Sequence, residues 1–509
     1  MANAEKDRTN RLARWALPLA ALAFFAATAS GYGVFRDALY YIACAHHLDW
    51  GYVDHPPLVA LIARLLELVI GPSWTALRLL SAVTAAATVL VVGDTARELG
   101  GGRFARVFAQ LLAATAPIYL SLFSIYSMNG FDVLIWAGLV RIAARILGGG
   151  SQKLWIAFGV LAGIGLENKI DVVLLCGGLI LGLVLSARLG ILRQRWIWFG
   201  AACAGALFGP HVIWQVVHDW PTKEFIANAQ RSKITVIGPI GFVAKQFLMA
   251  GPIGFSFALA GLFWLFVARA AFRFRPLAWA AATVLVLLAV SISKPYYFAP
   301  ALTLLFPAAG MALEAATSGR FGRTLRAAAS IAVALILVVL PLVKPLLSED
   351  GYVRYASALG MAPGSDENHR LGRLPQFFAD MHGWRELAES VAAVNTALPP
   401  SDRARACIYA QNYGEAGAID YFGPGLGLGP AMSQHNSYWM WGPGSCTGAV
   451  VVIIGGQRDD HIKNFATVEP AGTFHCADCM PYENDLTIWV ARGLTVSISD
   501  AWRAGKHYD

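Results

Sequence analysis

Apolar runs of about 20 residues recur along this 509-residue chain, and they limit its fold more than any other feature. A helix needs about 20 apolar residues to cross the hydrocarbon core of a membrane. Only 14% of the residues are charged, against about 25% in an average soluble domain. The sequence therefore predicts a polytopic α-helical membrane protein with about 11 transmembrane helices. The predicted spans are residues 15–34, 76–96, 105–123, 130–147, 154–167, 170–187, 196–217, 249–268, 277–293, 297–315 and 327–343.

Basic residues are concentrated in the loops on one side of these spans. If the N-terminus is cytoplasmic, every predicted inner loop carries arginine or lysine, as the positive-inside rule requires. The net charge of +8 therefore reflects membrane topology, and we expect no nucleic-acid partner. An odd number of spans places the segment after residue 343 on the outer side. The first span could instead be a cleaved signal peptide, but a retained anchor keeps the loop pattern consistent.

The segment 344–509 differs in composition from the rest of the chain. It is polar and turn-rich, and its apolar runs are too short to cross a membrane. The runs GAVVVIIGG (448–456) and LTIWVARG (486–493) predict β-strands, and GWRELAESVAAVNTAL (383–398) predicts an amphipathic helix. We therefore expect a transmembrane domain over 1–343 and a small α/β domain over 344–509 on the periplasmic side.

Four of the seven cysteines lie in this C-terminal segment. An even number of cysteines in an oxidising compartment predicts disulfides. Among the three connectivities that four cysteines allow, we favour Cys407–Cys446 together with Cys476–Cys479. The stretch HCADC (475–479) could alternatively be half of a metal site, although the sequence contains no second CxxC.

Polar residues gather in the loops predicted on the outer side. Ionisable residues at membrane depth are costly, and by default they suggest a functional site. The stretch FRDALYYIACAHHLDWGYVDHPPLVALIARLL (35–66) contributes Arg36, Asp37, Asp54 and His55. Later loops contribute five further candidates: Asn129, Asp132, Lys169, Lys294 and Tyr296. The aromatic residues of the first loop fit either an interfacial belt or a sugar-stacking surface: Tyr40, Tyr41, Trp50 and Tyr52.

Lys169 and Lys294 lie in very short connections between apolar runs, which brings each cation close to the depth of lipid headgroups. A lysine there can extend to the interface or hold a phosphate as a point charge. A phosphate at this depth would belong to a lipid. Asp37, Asp54 and His55 are the residues that could bind a divalent cation, although no spacing requires a metal.

The stretch RDALYYIACAHHLDWGYVDHPPLVALIARL resembles the first outer loop of bacterial GT-C glycosyltransferases. These enzymes are related to the protein O-mannosyltransferases and the lipid A aminoarabinose transferases. YSMNGFDVLIWA, GIGLENKIDVV, HDWPTKEFIANA and SKPYYFAPALTLLFPAAG resemble later blocks of the family in the same order. NYGEAGAIDYFG (412–423) and SQHNSYWMWGP (433–443) resemble its outer C-terminal domain. The match covers most of the chain, and DHPP within the first block is its most specific part.

The resemblance implies a helical bundle in the bacterial inner membrane, with amphipathic helices in the first outer loop. It implies transfer of a sugar from a polyprenyl-phosphate carrier to lipid A, another glycolipid, a polysaccharide or a protein. The family's catalytic Asp-Glu pair reads Asp37-Ala38 here, so Asp37 would take the proton of the acceptor. Lys169, Lys294 and, in reserve, Arg36 would neutralise the carrier phosphate. The absent glutamate leaves open that the chain is weakened or inactive.

Two functions of other classes fit the sequence in part. A transporter or flippase for lipid-linked sugars also needs spans and buried charges. It should, however, show paired halves with broken helices and polar residues at mid-span depth, which the sequence does not. A non-catalytic membrane partner that uses the outer domain is consistent with Ala38.

Overall fold

The computed structural model describes residues 2–509, with side chains from residue 12 onward. The chain divides into two compact units. The first, here called the helical unit, comprises the residues up to Ser30 together with Ser73–Trp214 and Thr235–Leu346. The second, the sheet unit, comprises Gly31–Pro72, Gln215–Ile234 and Leu347–Asp509. The sheet unit thus contains two segments that the sequence predicts as outer loops of the transmembrane domain.

The helical unit has an α-helix at every predicted span. Its helices are Ala2–Ala27, Trp74–Glu98, Arg103–Thr115, Pro117–Leu122, Met128–Leu147, Leu154–Leu166, Val172–Leu185, Leu189–Leu192, Arg195–Val217, Pro239–Met249, Pro252–Val267, Arg275–Val290, Leu302–Ala316, Gly322–Ala334 and Leu340–Val343. Three 3₁₀ segments extend or link them: Arg269–Phe274, Pro295–Ala301 and Leu335–Val339.

Within the described residues, five helical segments are long and apolar enough to cross a membrane, and one bent pair would make a sixth. Several other segments are interrupted or short. Pro117 breaks the predicted span 105–123 in two, because proline lacks the backbone N–H that a helix interior needs. The bent pair, Pro239–Met249 and Pro252–Val267, turns by 114°. The structure supports a multi-pass helical membrane protein, and the number of about 11 spans remains a prediction.

One buried carboxylate joins three segments that were predicted on the inner side. The Asp94 carboxylate lies 2.7 Å from Arg14 Nη2, 3.4 Å from Arg106 Nη2 and 3.5 Å from Arg141 Nη1. Each arginine comes from a different helix of the helical unit. Because the three predicted inner segments meet at one side chain, they lie at the same end of this unit.

Lys344, directly after the last predicted span, is only 1% exposed. Its Nζ donates to Ser124 Oγ at 3.2 Å and lies 5.8 and 5.2 Å from the ring centroids of Phe24 and Phe25. Among the side chains that the structure describes, no carboxylate lies within ion-pair distance of this ammonium group. Burial, with repulsion from Arg78 added, lowers the pKa of Lys344 to about 7.

We expect Lys344→Met to stabilise the protein by about 3 kcal/mol at pH 8. The unfolded chain binds a proton at this lysine up to pH 10.5, whereas the folded chain releases it near pH 7. The wild type therefore loses stability as the pH falls from about 10.5 to about 7, and the variant lacks this loss. Thermal unfolding in detergent at several pH values measures the difference. An equal melting temperature for both proteins at pH 8 would contradict the expectation.

The sheet unit is built on a mixed five-stranded sheet in the order β2-β1-β3-β5-β4. The strands are β1 (Ala406–Ala410), β2 (Ala431–Ser433), β3 (Val450–Ile454), β4 (Phe465–Phe474) and β5 (Leu486–Leu494). β1 runs parallel to β2 and β3, whereas β5 runs antiparallel to β3 and β4. All five residues of β3 are buried, as its unbroken β-branched sequence predicts for a central strand. The strands predicted at 448–456 and 486–493 are confirmed.

The helices of the sheet unit come from all three of its segments. They are Arg36–His46, Leu58–Ile70, Pro221–Asn228, Glu349–Ala358, Gln376–Ala379, Trp384–Ala397, Pro400–Arg403, Tyr413–Phe422, Ser437–Trp441, Arg458–His461 and Ile498–Ala504. Shorter 3₁₀ and π turns lie at Ala229–Lys233, Gly423–Leu426 and Pro481–Glu483. The helix predicted at 383–398 is confirmed. Leu58–Ile70 buries Val59 and Ala63 and exposes Leu65 and Leu68, so the first loop contains a helix with an exposed apolar face.

Two disulfides cross-link the sheet unit. Cys407 of β1 pairs with Cys446, which precedes β3, at a Cα separation of 5.7 Å. Cys476 pairs with Cys479 between β4 and β5, at a Cα separation of 5.5 Å. Both predicted pairings are confirmed, and the alternative of a half metal site at HCADC is wrong, because its two thiols bind each other.

Candidate active site

The helix Arg36–His46 begins at the candidate catalytic pair. Asp37 lies in its first turn, where a carboxylate interacts favourably with the helix dipole. Arg36 is buried, whereas Asp37 is half-buried and keeps access to solvent. Ala38, where the family carries glutamate, is 4% exposed. A glutamate at this position would therefore be buried, so the absent carboxylate matches the local packing.

The Arg36 guanidinium is enclosed by aromatic and acidic groups of the sheet unit. Its Nη1 donates to Tyr482 Oη at 2.8 Å, and its Cζ lies 4.6 Å from the Tyr413 ring centroid. Burial raises the pKa of the Asp380 carboxyl to about 7, while the positive charge of Arg36 opposes this shift and Asp37 adds to it. Since acidic neighbours already compensate Arg36, its surroundings do not favour the predicted phosphate contact.

Two tyrosines hold the two carboxylates predicted in the first loop. Tyr413 Oη donates to Asp37 Oδ1 at 2.9 Å, and Tyr40 Oη donates to Asp54 Oδ1 at 2.9 Å. The centroids of the two phenol rings are 4.7 Å apart, with the planes tilted by 31°. Ser437 Oγ lies 2.7 Å from Tyr40 Oη. The structure thus brings Asp37 and Asp54 together around one pair of adjacent tyrosine rings.

His55 is completely buried. Its Nδ1 donates to the carbonyl oxygen of Pro56 at 2.8 Å, and its Nε2 lies 4.0 Å from Asp54 Oδ1. Three tyrosine rings surround the imidazole, with centroids at 5.7, 5.0 and 4.8 Å: Tyr40, Tyr41 and Tyr52. Since these rings are buried packing partners, the interfacial belt and the sugar-stacking surface are both wrong for them. Trp50, 58% exposed, remains available for either role.

Within the described part of the chain, one group of three side chains could hold a metal ion, and it lies outside the predicted ligands. It comprises His435, His507 and Asp509. His435 Nδ1 accepts from the backbone N–H of Tyr413 at 3.4 Å, while its Nε2 lies 3.0 Å from Asp509 O and 3.1 Å from Asp509 Oδ1. A metal ion bound to His435 Nε2 would require a proton on Nδ1. Because Nδ1 accepts the Tyr413 N–H, it carries no proton. The group therefore fits a His–Asp hydrogen bond, and we assign no metal.

The candidates of the helical unit form a second polar centre around Lys169. Its Nζ lies 2.9 Å from Asp171 Oδ2, 3.5 Å from Asp132 Oδ2 and 3.1 Å from Asn129 Oδ1. The Tyr297 ring centroid lies 4.8 Å from the same nitrogen. Burial alone would lower the pKa of Lys169, but Asp171 and Asp132 outweigh it and hold this pKa above its ordinary value.

This arrangement changes what Lys169 can do. Two carboxyl groups lie beside one ammonium group, so the charge of Lys169 is already compensated. A phosphate approaching Lys169 would meet Asp132 and Asp171 as well. Lys169 is better suited to joining the helix Met128–Leu147 to the segment before Val172–Leu185 than to holding an anion.

Lys294 and Tyr296 lie in the segment that connects the helices Arg275–Val290 and Leu302–Ala316. Lys294 precedes the 3₁₀ segment Pro295–Ala301, and its Nζ lies 6.0 Å from the Tyr296 ring centroid. Gln246 Nε2 donates to the carbonyl oxygen of Pro295 at 3.0 Å, which fixes the backbone beside the lysine. Tyr296 is also 6.0 Å from Lys169 Nζ, measured to its ring centroid. The predicted residues of this unit therefore cluster around the two tyrosines of KPYYF.

Sequence reasoning missed Tyr413, and one local signal marks it. Asn412 Oδ1 accepts from the backbone N–H groups of Gly414 and Glu415 at 2.8 and 3.1 Å. Glu415 Oε1 accepts in return from Asn412 Nδ2 at 2.9 Å. This reciprocal arrangement resembles a capping box. The spacing Asn-Tyr-Gly-Glu therefore places Tyr413 at the first position of a helix.

Comparison with known proteins gives two similarities at the level of sequence. The family model described as dolichyl-phosphate-mannose-protein mannosyltransferase matches residues 54–214. The lipid A galacturonosyltransferase RgtD of Rhizobium johnstonii is 24% identical over 279 residues. That match covers 52% of this chain and 56% of RgtD, so the chain spans about half the length of this relative.

Solved structures give a similarity of fold over nearly the whole chain. ArnT from Cupriavidus metallidurans bound to undecaprenyl phosphate matches with a TM-score of 0.60 and 14% identity, covering 95% of this chain and 98% of ArnT. Its apo state matches with a TM-score of 0.60 and 15% identity, covering 93% and 97%. Together with the sequence matches, these similarities confirm the resemblance to GT-C glycosyltransferases that the sequence predicted.

Proposed function

Because the chain resembles the GT-C glycosyltransferases, we propose that it transfers a sugar from a polyprenyl-phosphate carrier to a cell-envelope acceptor. Undecaprenyl phosphate is the ligand of the similar ArnT structure, and lipid A is named as the substrate of RgtD. These two similarities support a polyprenyl-phosphate donor and a membrane-lipid acceptor for this chain. The proposed location is the bacterial inner membrane, with the reaction on the outer face.

The observation that carries this proposal is the setting of Asp37. Its carboxylate is half-buried at the first turn of a helix, directly after the first apolar segment, and Tyr413 fixes one of its oxygens. A general base must be held in position and remain within reach of the acceptor. Asp37 meets both conditions, whereas Asp94 is buried among arginines and Asp132 is paired with Lys169.

The proposed reaction is a single displacement at the anomeric carbon. The acceptor hydroxyl or amine attacks this carbon, a new bond from its oxygen or nitrogen forms, and the bond to the phosphate oxygen breaks. The carrier phosphate leaves with the electron pair, and Asp37 takes the acceptor proton. The anomeric configuration is inverted. Lys294 is our candidate to neutralise the leaving phosphate, because its short connection brings a cation to the predicted depth of lipid headgroups.

The transporter alternative makes an expectation about broken helices. Transporters built from repeats carry broken helices in corresponding positions of both halves. Among the described helices, one apolar pair is bent at a break, Pro239–Met249 with Pro252–Val267. Pro117 breaks a second apolar segment, the predicted span 105–123, so the transport assay described next must separate the two functions.

Reconstitution tests the proposed function directly. The purified full-length protein in liposomes receives radiolabelled polyprenyl-phosphate sugars and a panel of lipid A, glycolipid, polysaccharide and protein acceptors. We expect label to move from the carrier to one acceptor class. If label instead crosses the bilayer while still attached to its carrier, the protein is a flippase and the proposal fails. If no label moves with any pair, the non-catalytic alternative stands.

A further inference from the structure

Tyr413 is separated from Asp37 by 376 residues, yet its hydroxyl donates to Asp37 Oδ1 at 2.9 Å. It is the first residue of the helix Tyr413–Phe422, which packs on the helix Arg36–His46. Glycines make this close approach available. A Cβ at Gly414 would lie 2.8 Å from Arg36 Cγ, and a Cβ at Gly417 would lie 3.0 Å from Leu39 Cβ.

The Tyr413 ring is fixed from several directions. The Arg36 guanidinium carbon lies 4.6 Å from its centroid, the Tyr40 ring centroid 4.7 Å and the His435 ring centroid 4.9 Å. Its backbone N–H also donates to His435 Nδ1. Because these partners hold the ring in place, its hydroxyl holds the Asp37 carboxylate in one orientation.

The hydroxyl acts as a fixed donor and takes no part in proton transfer. Burial raises the pKa of Tyr413 well above its ordinary value, while Arg36 opposes this shift. Tyr413 therefore keeps its proton at working pH. The other charged groups that act on this hydroxyl are Asp37, Glu367 and Asp54. The carboxyl groups of Asp380 and Asp37 also repel each other.

We propose that Tyr413 is a positioning residue: its hydroxyl orients the Asp37 carboxylate and keeps it ionised, so that Asp37 can accept the acceptor proton. This inference rests on the proposed function, because it assigns Tyr413 a role only through Asp37. A hydrogen bond to an ionised carboxylate favours its charged form, and this one links the C-terminal part of the sheet unit to the candidate base.

The test is the pH profile of kcat/KM for Tyr413→Phe in the reconstituted full-length protein. The acidic limb is the part of this profile where kcat/KM falls with falling pH because the base becomes protonated. Loss of the hydrogen-bond donor should move the midpoint of this limb to higher pH, by about one pH unit or more. On that limb the variant should be roughly tenfold to a hundredfold slower than the wild type, and it should recover toward the wild-type rate at high pH. An Asp380→Asn background removes the titration of the neighbouring carboxyl, whose pKa is about 7. A uniform loss at every pH would overturn the inference, since it would mean a structural role only.

Tyr438→Phe is the matched control. Tyr438 is another buried tyrosine of the sheet unit, and its Oη donates to Asp420 Oδ2 at 2.6 Å. Its loss removes a bond of the same type, so the melting temperature should fall similarly in both variants while the acidic limb stays in place. An equal shift of the limb in both variants would contradict a specific role for Tyr413.

Two further measurements separate this inference from the proposed function. If Asp37→Asn keeps the wild-type rate, the base assignment has failed whatever Tyr413 does. If Asp37→Asn is inactive and Tyr413→Phe shows no limb shift, only the positioning role has failed. The titration of the Asp37 carboxyl, read as an infrared difference between the wild type and the Asp37→Asn variant, needs no turnover. It should move upward in the Tyr413→Phe background, and an unchanged titration would reject the inference.

Discussion

Asp37→Asn should reduce sugar transfer by about 10²–10⁴-fold while donor binding persists. The substitution is nearly isosteric, and its amide can still accept a hydrogen bond from Tyr413. It cannot take up a proton, so the step in which the acceptor hydroxyl or amine attacks the anomeric carbon loses its base. Single-turnover transfer in liposomes measures the rate, and binding of a fluorescent polyprenyl phosphate measures whether the carrier still binds.

Asp49→Asn provides the matched control for this experiment. Asp49 is an exposed aspartate of the same loop, and its carboxylate accepts from the backbone N–H of Trp50. We expect this variant to transfer sugar at close to the wild-type rate. Full activity in Asp37→Asn would remove Asp37 from the mechanism, and Asp54 would then be the carboxylate to test, because it lies in the same cluster and has its own tyrosine donor.

The second large effect concerns stability. We expect Asp94→Asn to destabilise the protein by about 1–3 kcal/mol, because it leaves three arginines, two of them about one third exposed, without their shared buried carboxylate. Removing one partner of a buried ionic cluster costs more than the cluster itself contributes, since uncompensated charges remain in a medium of low dielectric constant. Thermal unfolding in detergent and the yield of folded protein measure the effect.

Glu98→Gln is the comparison for Asp94→Asn. Glu98 lies one turn further along the same helix, is partly exposed, and makes one contact, at 3.7 Å to Arg141 Nε. Its loss should cost less than about 1 kcal/mol, as for a surface ion pair. If both variants melt together with the wild type, Asp94 is solvated in the membrane-bound protein and its central role is refuted.

The elements predicted from the sequence are those that depend on local pattern. The apolar runs gave helices, the β-branched run before Gly455 gave β3, and Cys407–Cys446 was correctly paired. Pro117 interrupts the predicted span 105–123, because hydropathy over a window of 20 residues does not register one breaker. The sheet unit's use of residues 31–72 and 215–234 also has no local signal.

The sequence predicted the type and position of the site residues, but not which side chains they contact in the structure. Lys169 stood out as a cation in a short loop, and the structure places Asp132 and Asp171 beside it. The pairing with Asp132 depends on how two helices pack, which loop sequence does not determine. Arg36 likewise reads as an available charge next to Asp37, and only the fold places Tyr482 and Asp380 around it. Asp37 itself was found through a family motif.

The bond from Tyr413 to Asp37 also constrains when a nascent chain can become active. Ribosomes add about 5–20 residues per second, so about 20–75 s separate the synthesis of these two residues. Throughout that interval the first loop exists without its tyrosine donor and without the glycine-lined helix that packs on it. A truncated translation product would therefore insert its apolar segments and still lack an oriented base. Under the proposed mechanism, sugar transfer therefore waits until synthesis has passed Tyr413.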